Sequence, residues 1–210
     1  MDEFKIRASA CGKIMSNAKT KGELSATCKS FLQEWYADEH EPIRSKYIDK
    51  GLMVEDELID FMCWQLGVPK VTKNQLFRET EYMRGTCDVL TRNCVIDVKA
   101  AWSKKTLDNV AIDGINPDYY WQGQVYMHLY EVDEFIVFHG LVDTPAEVNF
   151  GIPVSYSYLT DDQRWIAYRL KRDRAVEQQI IDKVVQCREW LSKHDKSIIE
   201  SLGKTHSIND

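Results

Sequence analysis

Between Gly85 and Lys99 the chain reads Gly-Thr-Cys-Asp-Val-Leu-Thr-Arg-Asn-Cys-Val-Ile-Asp-Val-Lys. Two short runs of β-forming residues flank Thr91-Arg92-Asn93, so the segment predicts a hairpin. With a two-residue loop at Arg92-Asn93, Asp88 faces Asp97 and Thr86 faces Lys99. The other face then carries Cys87, Val89, Cys94, Ile96 and Val98, all apolar. An odd-membered loop would set Cys87 against Asp97 and Asp88 against Ile96, mixing the faces. Register follows the buried pattern, so the even loop is the expected one. That choice holds two carboxylates directly across from each other, where like charges repel. Something positive has to offset them. Lys99, one position along the same face, can do so, and so can a divalent cation.

The rest of the chain supplies a frame for this hairpin. Leu24, Cys28, Phe31, Leu32 and Trp35 recur at helical spacing within residues 21–37. A second helix is predicted from about Ile48 to Leu66, ending at Gly67-Val68-Pro69. Asn116-Pro117-Asp118 opens a helix to about Glu131, and Phe135–Val142 reads as a buried strand. From Thr160-Asp161-Asp162 a long charged helix is predicted to about His194. The order gives a mixed α/β domain, with one central mixed sheet flanked by helices. A single domain over 1–203 and a loose tail at 204–210 fit the length of 210 residues.

Composition narrows the class. No window approaches the roughly 18 consecutive apolar residues of a membrane helix. The acidic start MDEFKIRASACG does not read as a secretory signal, so an intracellular protein is expected. Six scattered cysteines form no CxxC pair and no zinc spacing, and are read as reduced core thiols. No P-loop, G-x-S-x-G or dinucleotide fingerprint occurs, and His128 and His139 are isolated and read as structural. The net charge of −6 argues against a nucleic-acid partner unless cations are concentrated where phosphate arrives.

A third carboxylate comes from the helix before the hairpin. Leu52, Glu55, Ile59, Met62 and Leu66 form one stripe, apolar except for Glu55. A carboxylate there is costly unless paired or coordinated. Glu55, Asp88 and Asp97 are hard oxygen donors suited to Mg²⁺ or Mn²⁺ rather than zinc. The competing reading is an ordinary salt bridge from Lys99 to Asp97, with Glu55 capping a helix or reaching the surface.

The ordered set Gly51-x3-Glu55, Gly85-x2-Asp88 and Asp97-x-Lys99, followed by a glutamine-bearing aromatic helix, resembles the PD-(D/E)XK nuclease superfamily. Within it the set is most similar to the recombination exonucleases of the phage lambda (YqaJ-like) group, over about Ser9 to Leu141. The resemblance implies a restriction-endonuclease-like core and a phage-encoded enzyme of recombination or repair in a bacterial host. It implies hydrolysis from DNA ends, 5′ to 3′, with one or two Mg²⁺ or Mn²⁺ ions. By it, Glu55, Asp88, Asp97 and the carbonyl of Val98 are metal ligands. Lys99 positions and helps deprotonate the attacking water, and Gln122 braces the site with Gln124 as companion. Ser9, Lys13, Ser16 and Lys19, with Arg7, fall where the family holds the DNA end. Further DNA contacts are expected from Lys104 and Lys105, and from Arg169, Lys171, Arg172 and Arg174 on the last helix. A single-strand annealing protein as partner and a ring of three subunits are also implied, though a monomer is compatible with the sequence. Cys87 stands in place of the proline that names the motif, and Asp97 in place of the lambda-like Glu. The alternatives are an endonuclease of the same superfamily and a non-catalytic DNA-binding protein with its fold.

Overall fold

The computed structural model describes residues 3–37 and 45–201; the expected loose tail at 204–210 lies outside them. At its centre is a four-stranded sheet ordered β4 (Val89–Leu90), β5 (Cys94–Ala100), β6 (Glu134–Gly140), β7 (Trp165–Lys171). β4 and β7 run antiparallel to their neighbours, while β5 and β6 are parallel. Parallel strands need a crossover. It is made by α5 (Lys104–Asp113) and α6 (Pro117–Tyr130). A smaller sheet joins β1 (Ile6–Arg7), β3 (Met83–Gly85) and β2 (Arg78–Glu79), in that order.

β5 and β6 are buried on both faces and alternate between two cores. Val95, Phe135 and Val137 pack toward α6 and toward α1 (Cys11–Met15), α2 (Ala26–Tyr36) and α7 (Arg174–Ser201). Cys94, Ile96, Val98, Ile136 and Phe138 pack toward α4 (Glu55–Leu66). Burying one such side chain contributes about 1.5–3 kcal/mol, so these strands fix the sheet firmly. α6 lies unusually close to it. A Cβ on Gly123 would come within 2.3 Å of the Phe135 ring.

Four elements differ from the sequence expectation. The first long helix starts only at Ala26, where the Ser25 hydroxyl caps the Cys28 N–H. The helix expected over Ile48–Leu66 is two, α3 (Lys46–Met53) and α4, divided at buried Val54 with φ −107° and ψ 9°. The expected stripe is therefore cut: Leu52 is exposed, and the buried face of α4 runs through Leu58, Ile59, Met62 and Cys63. Thr160 does cap a helical turn, reciprocated by Gln163, but that turn spans only Asp161–Gln163. Beyond it comes strand β7, so Arg169 and Lys171 lie on a strand and only Arg174 begins the last helix. Finally, Cys87 precedes β4 and joins the α6 core, because the strand alternation begins only at Val89. Among the described residues no helix is long and apolar enough to cross a membrane.

Candidate active site

The hairpin has the expected register. Val89 pairs with Ile96 and Leu90 with Val95, which sets Asp88 across from Asp97. Thr91 closes the two-residue loop, exchanging hydrogen bonds with the Cys94 backbone. Asp97 is buried at 1 % exposure, and Asp88 is half-buried. Asp88 Oδ2 accepts the Val98 N–H at 2.9 Å. Burial, and then the facing Asp97, push the Asp88 carboxyl up to about 7 despite Lys99 and that backbone donor. Lys99 Nζ lies 2.5 Å from Asp97 Oδ2 and 5.3 Å from the Tyr119 ring centre. Burial alone would lower the Lys99 pKa, but Asp97 outweighs it and keeps the ammonium above the ordinary lysine value.

α6 completes the site from the opposite layer. Its start is set by Asn116, whose side chain accepts the Asp118 N–H at 2.8 Å, and by Pro117 in the first turn. Residues three and four apart then point at the sheet. Tyr119 covers Lys99, and Gln122 donates to Asp97 Oδ1 and to the Tyr126 hydroxyl, each at 3.2 Å. Tyr126 donates in turn to the Thr86 carbonyl at 2.9 Å. Gln122 thus fixes one oxygen of Asp97.

Glu55, Asp88, Val98 and Lys99 line one open cleft of about 520 Å³, walled by α3 and α5. Glu55 opens α4 and pairs with Lys73 at 2.5 Å. The competing reading holds for Lys99, which meets Asp97, but Glu55 neither caps a helix nor reaches the surface and pairs with Lys73 instead. Among the described residues no three Asp, Glu, His or Cys side chains form a ready-made metal cage. The donor set nevertheless fits a hard divalent ion. Asp97 Oδ2 is buried and met by the Lys99 ammonium, and the carboxylates of Asp97 and Glu55 both act on Asp88, so hard oxygen donors are gathered around it.

The predicted DNA contacts divide. Arg7 and Ser9 are exposed and line a second hollow of about 310 Å³ with Phe77, Arg84, Thr86 and Tyr126. Lys13 and Lys19 are exposed, Lys13 lying over the Phe31 ring, whereas the Ser16 hydroxyl is engaged by Ser25 at 2.5 Å. Lys104 pairs with Asp108 one helical turn on, and Lys105 is exposed. Gln124 is fully buried and ties α6 to the Lys171 carbonyl and the Asp173 N–H. Arg172 is likewise buried, pairing with Glu177, to which His128 also bonds at 3.0 Å. Arg169 and Lys171 share Glu134. Arg172 and Gln124 brace the edge of the sheet, whereas Arg169 and Lys171 remain exposed beside Glu134.

Three residues around the site carry no sequence signal. Lys73 sits in an irregular connection, and Arg84 holds a buried Nε without a hydrogen-bond partner beside the second hollow. His139 is the lateral neighbour of Lys99 on β6, 5.6 Å from the Tyr119 ring. Burial and then Lys99 push its pKa down to about 4, so it is a neutral imidazole, with Nε2 buried and unpartnered. A lone histidine in a strand looks like any core histidine until the register places it beside a lysine.

No family model matches this chain, and no curated protein does. Solved structures do match. A phage-related exonuclease from Haemophilus somnus 129PT superposes with a TM-score of 0.80 at 22 % identity, covering 94 % of this chain and 97 % of that one. An alkaline exonuclease, LHK-Exo, from Laribacter hongkongensis superposes with a TM-score of 0.70 at 14 % identity, covering 93 % and 92 %. The latter has also been solved in complex with dAMP. The chain therefore has the fold of these phage-type and alkaline exonucleases, a mixed α/β nuclease fold along nearly its whole described length.

Proposed function

We propose that this protein is a metal-dependent deoxyribonuclease that hydrolyses DNA from its ends, 5′ to 3′, as a recombination or repair exonuclease. The observation that carries the reading is the pair Asp88 and Asp97, held opposed by the hairpin register with Lys99 beside them. A sheet gains nothing from opposed acids; Lys99 offsets Asp97, and Asp88, which lines the cleft with Glu55, is left to take a ligand of positive charge.

Glu55, Asp88, Asp97 and the Val98 carbonyl would hold Mg²⁺ or Mn²⁺, which when bound supplies Lewis-acid stabilisation of phosphoryl charge and acidifies water. The chain's own groups do the positioning. Gln122 locks the Asp97 carboxylate through Oδ1, and Tyr126 locks Gln122. Lys99, held as a cation by Asp97, orients the attacking water and offsets charge on the phosphoryl oxygens. Attack forms a bond from water oxygen to phosphorus and breaks the bond to the leaving 3′-oxygen, which takes up a proton. His139, neutral and next to Lys99, adds a polar group on the cleft wall without adding charge. The terminal phosphate is received by the second hollow, where Arg84 has an unpaired nitrogen and Arg7 and Ser9 are exposed. Thr86 and Tyr126 connect that hollow to Gln122 and Asp97.

The test is hydrolysis of end-labelled duplex DNA with Mg²⁺ by wild type, Asp97→Asn and Lys99→Ala. Each variant is expected to lose at least about a hundredfold in rate, in keeping with groups that stabilise transition-state charge. Either variant within about threefold of wild type places the chemistry elsewhere.

A further inference from the structure

Lys73 belongs to no helix or strand. It stands in the connection between α4 and β2, yet its root is fixed at the acidic site. The next residue, Asn74, donates its N–H to the Asp88 carbonyl at 2.7 Å, and its side-chain amide to the Cys87 carbonyl at 3.1 Å. From that root the Lys73 ammonium reaches Glu55 at 2.5 Å, with its side chain still 35 % exposed.

Two ammonium groups therefore serve three carboxylates, and they are held differently. Lys99 rises from the strand between β4 and β6, touches buried Asp97 and lies against the Tyr119 ring. Lys73 has one acidic partner, and a long unbranched side chain can leave it without any backbone change. An ion entering beside Asp88 and Asp97 needs a third hard oxygen donor. Glu55 cannot fully serve it while an ammonium holds the carboxylate, because the two cations compete for the same lone pairs and repel each other.

Resting on the metal-dependent reading above, we propose that Lys73 is the resident counter-ion of Glu55, occupying that carboxylate in the metal-free protein and being displaced from it when the divalent ion binds. The pair limits repulsion among Glu55, Asp88 and Asp97 when no ion is present. Metal binding is correspondingly weaker, since each binding event has to break it. The displaced ammonium stays rooted beside Asp88, at the cleft where a DNA phosphate arrives.

The experiment is a Mn²⁺ titration without DNA, with the free ion followed by electron paramagnetic resonance. It compares wild type, Lys73→Met, Lys73→Gln and Lys70→Met. The last removes the same charge three residues away, where the ammonium pairs with Asp60 at 2.6 Å, and so controls for general loss of a cation. Both Lys73 variants are expected to bind Mn²⁺ about threefold or more tightly than wild type, the scale of a part-exposed ion pair, with Lys70→Met within about twofold. Metal-free Lys73→Met should also melt below wild type, with the deficit closing at saturating Mn²⁺. If wild type binds Mn²⁺ and neither Lys73 variant binds it more tightly than Lys70→Met, the counter-ion assignment is overturned and the metal reading stands. If wild type binds no Mn²⁺ up to millimolar concentrations, the metal reading fails and the assignment goes with it.

Discussion

Asp88 shows how a single side chain reports on the site. Its carboxyl is pushed up to about 7 by burial and by the facing Asp97, against 3.8 ordinarily. The folded protein therefore holds a proton that the unfolded chain releases between those values. Metal-free stability should fall as pH rises from about 4 to about 7, and the loss is complete above that. Asp88→Asn removes this dependence, so the variant is expected to melt at least as high as wild type at pH 8 without metal while being inactive. Thermal melts across pH 4–8 check both halves, and a variant that melts well below wild type would contradict the charge argument. Lys50 gives the opposite sign. It is buried, donates to the Ala101 and Val142 carbonyls at 2.7 and 3.1 Å, and burial pushes its pKa down to about 8. Between about 8 and the ordinary 10.5 the unfolded chain binds more protons, so this group's contribution improves as pH rises through that window. Urea unfolding at several alkaline pH values should show that slope in wild type and not in Lys50→Met. The variant also loses about 1–3 kcal/mol from carbonyls left without a donor.

At the scale of elements, the hairpin and α6 were legible because each carries a local physical rule. Polarity segregation admitted one class of register, and Asn116-Pro117 is a helix start with a mechanism. The break at Val54 was not legible, since no Gly, Pro or capping side chain marks it and only tertiary burial of Val54 explains it. β7 was misread because it is an edge strand of half-buried residues, with little contrast between faces, following a genuine but very short helical cap. That misreading carried Arg172 into the DNA contacts, when its guanidinium is buried on Glu177. The acids and Lys99 were readable from spacing; Lys73, Arg84 and His139 were not, because their meaning depends on which element lies alongside. The close seating of α6 yields its own prediction. Alanine improves helix propensity over glycine by about 1 kcal/mol, but overpacking at a fully buried ring costs about 1–3 kcal/mol. With a clash at 2.3 Å the second effect wins. Gly123→Ala should lower stability by about 1–2 kcal/mol in denaturant unfolding, and should reduce activity because the helix carrying Tyr119 and Gln122 is pushed from the sheet. A gain in stability would show that the helix is free to shift.

Across the whole molecule the question is how a chain of net charge −6 handles a polyanion. The structure buries Arg172 on Glu177, sets other basic groups beside Glu134 and Asp108 at the surface, and leaves Arg7, Lys13 and Lys19 exposed on the N-terminal side. On the proposed reading, local cations and a divalent ion, rather than overall charge, attract phosphate. The ion should raise the melting temperature, because it binds the folded state alone and relieves repulsion among Glu55, Asp88 and Asp97. A melting temperature unmoved by Mg²⁺ or Mn²⁺ at millimolar concentration would argue against the site. The central claim, end-dependent hydrolysis at this cleft, is tested most directly by incubating linear plasmid and relaxed, covalently closed plasmid with equal enzyme and Mg²⁺. The expected result is loss of the linear DNA to mononucleotides with the closed circle untouched, and no loss of either with Asp97→Asn or with EDTA. Linearisation of the circle, or discrete fragments from the linear DNA, would contradict the exonuclease account and assign the same site to internal cleavage.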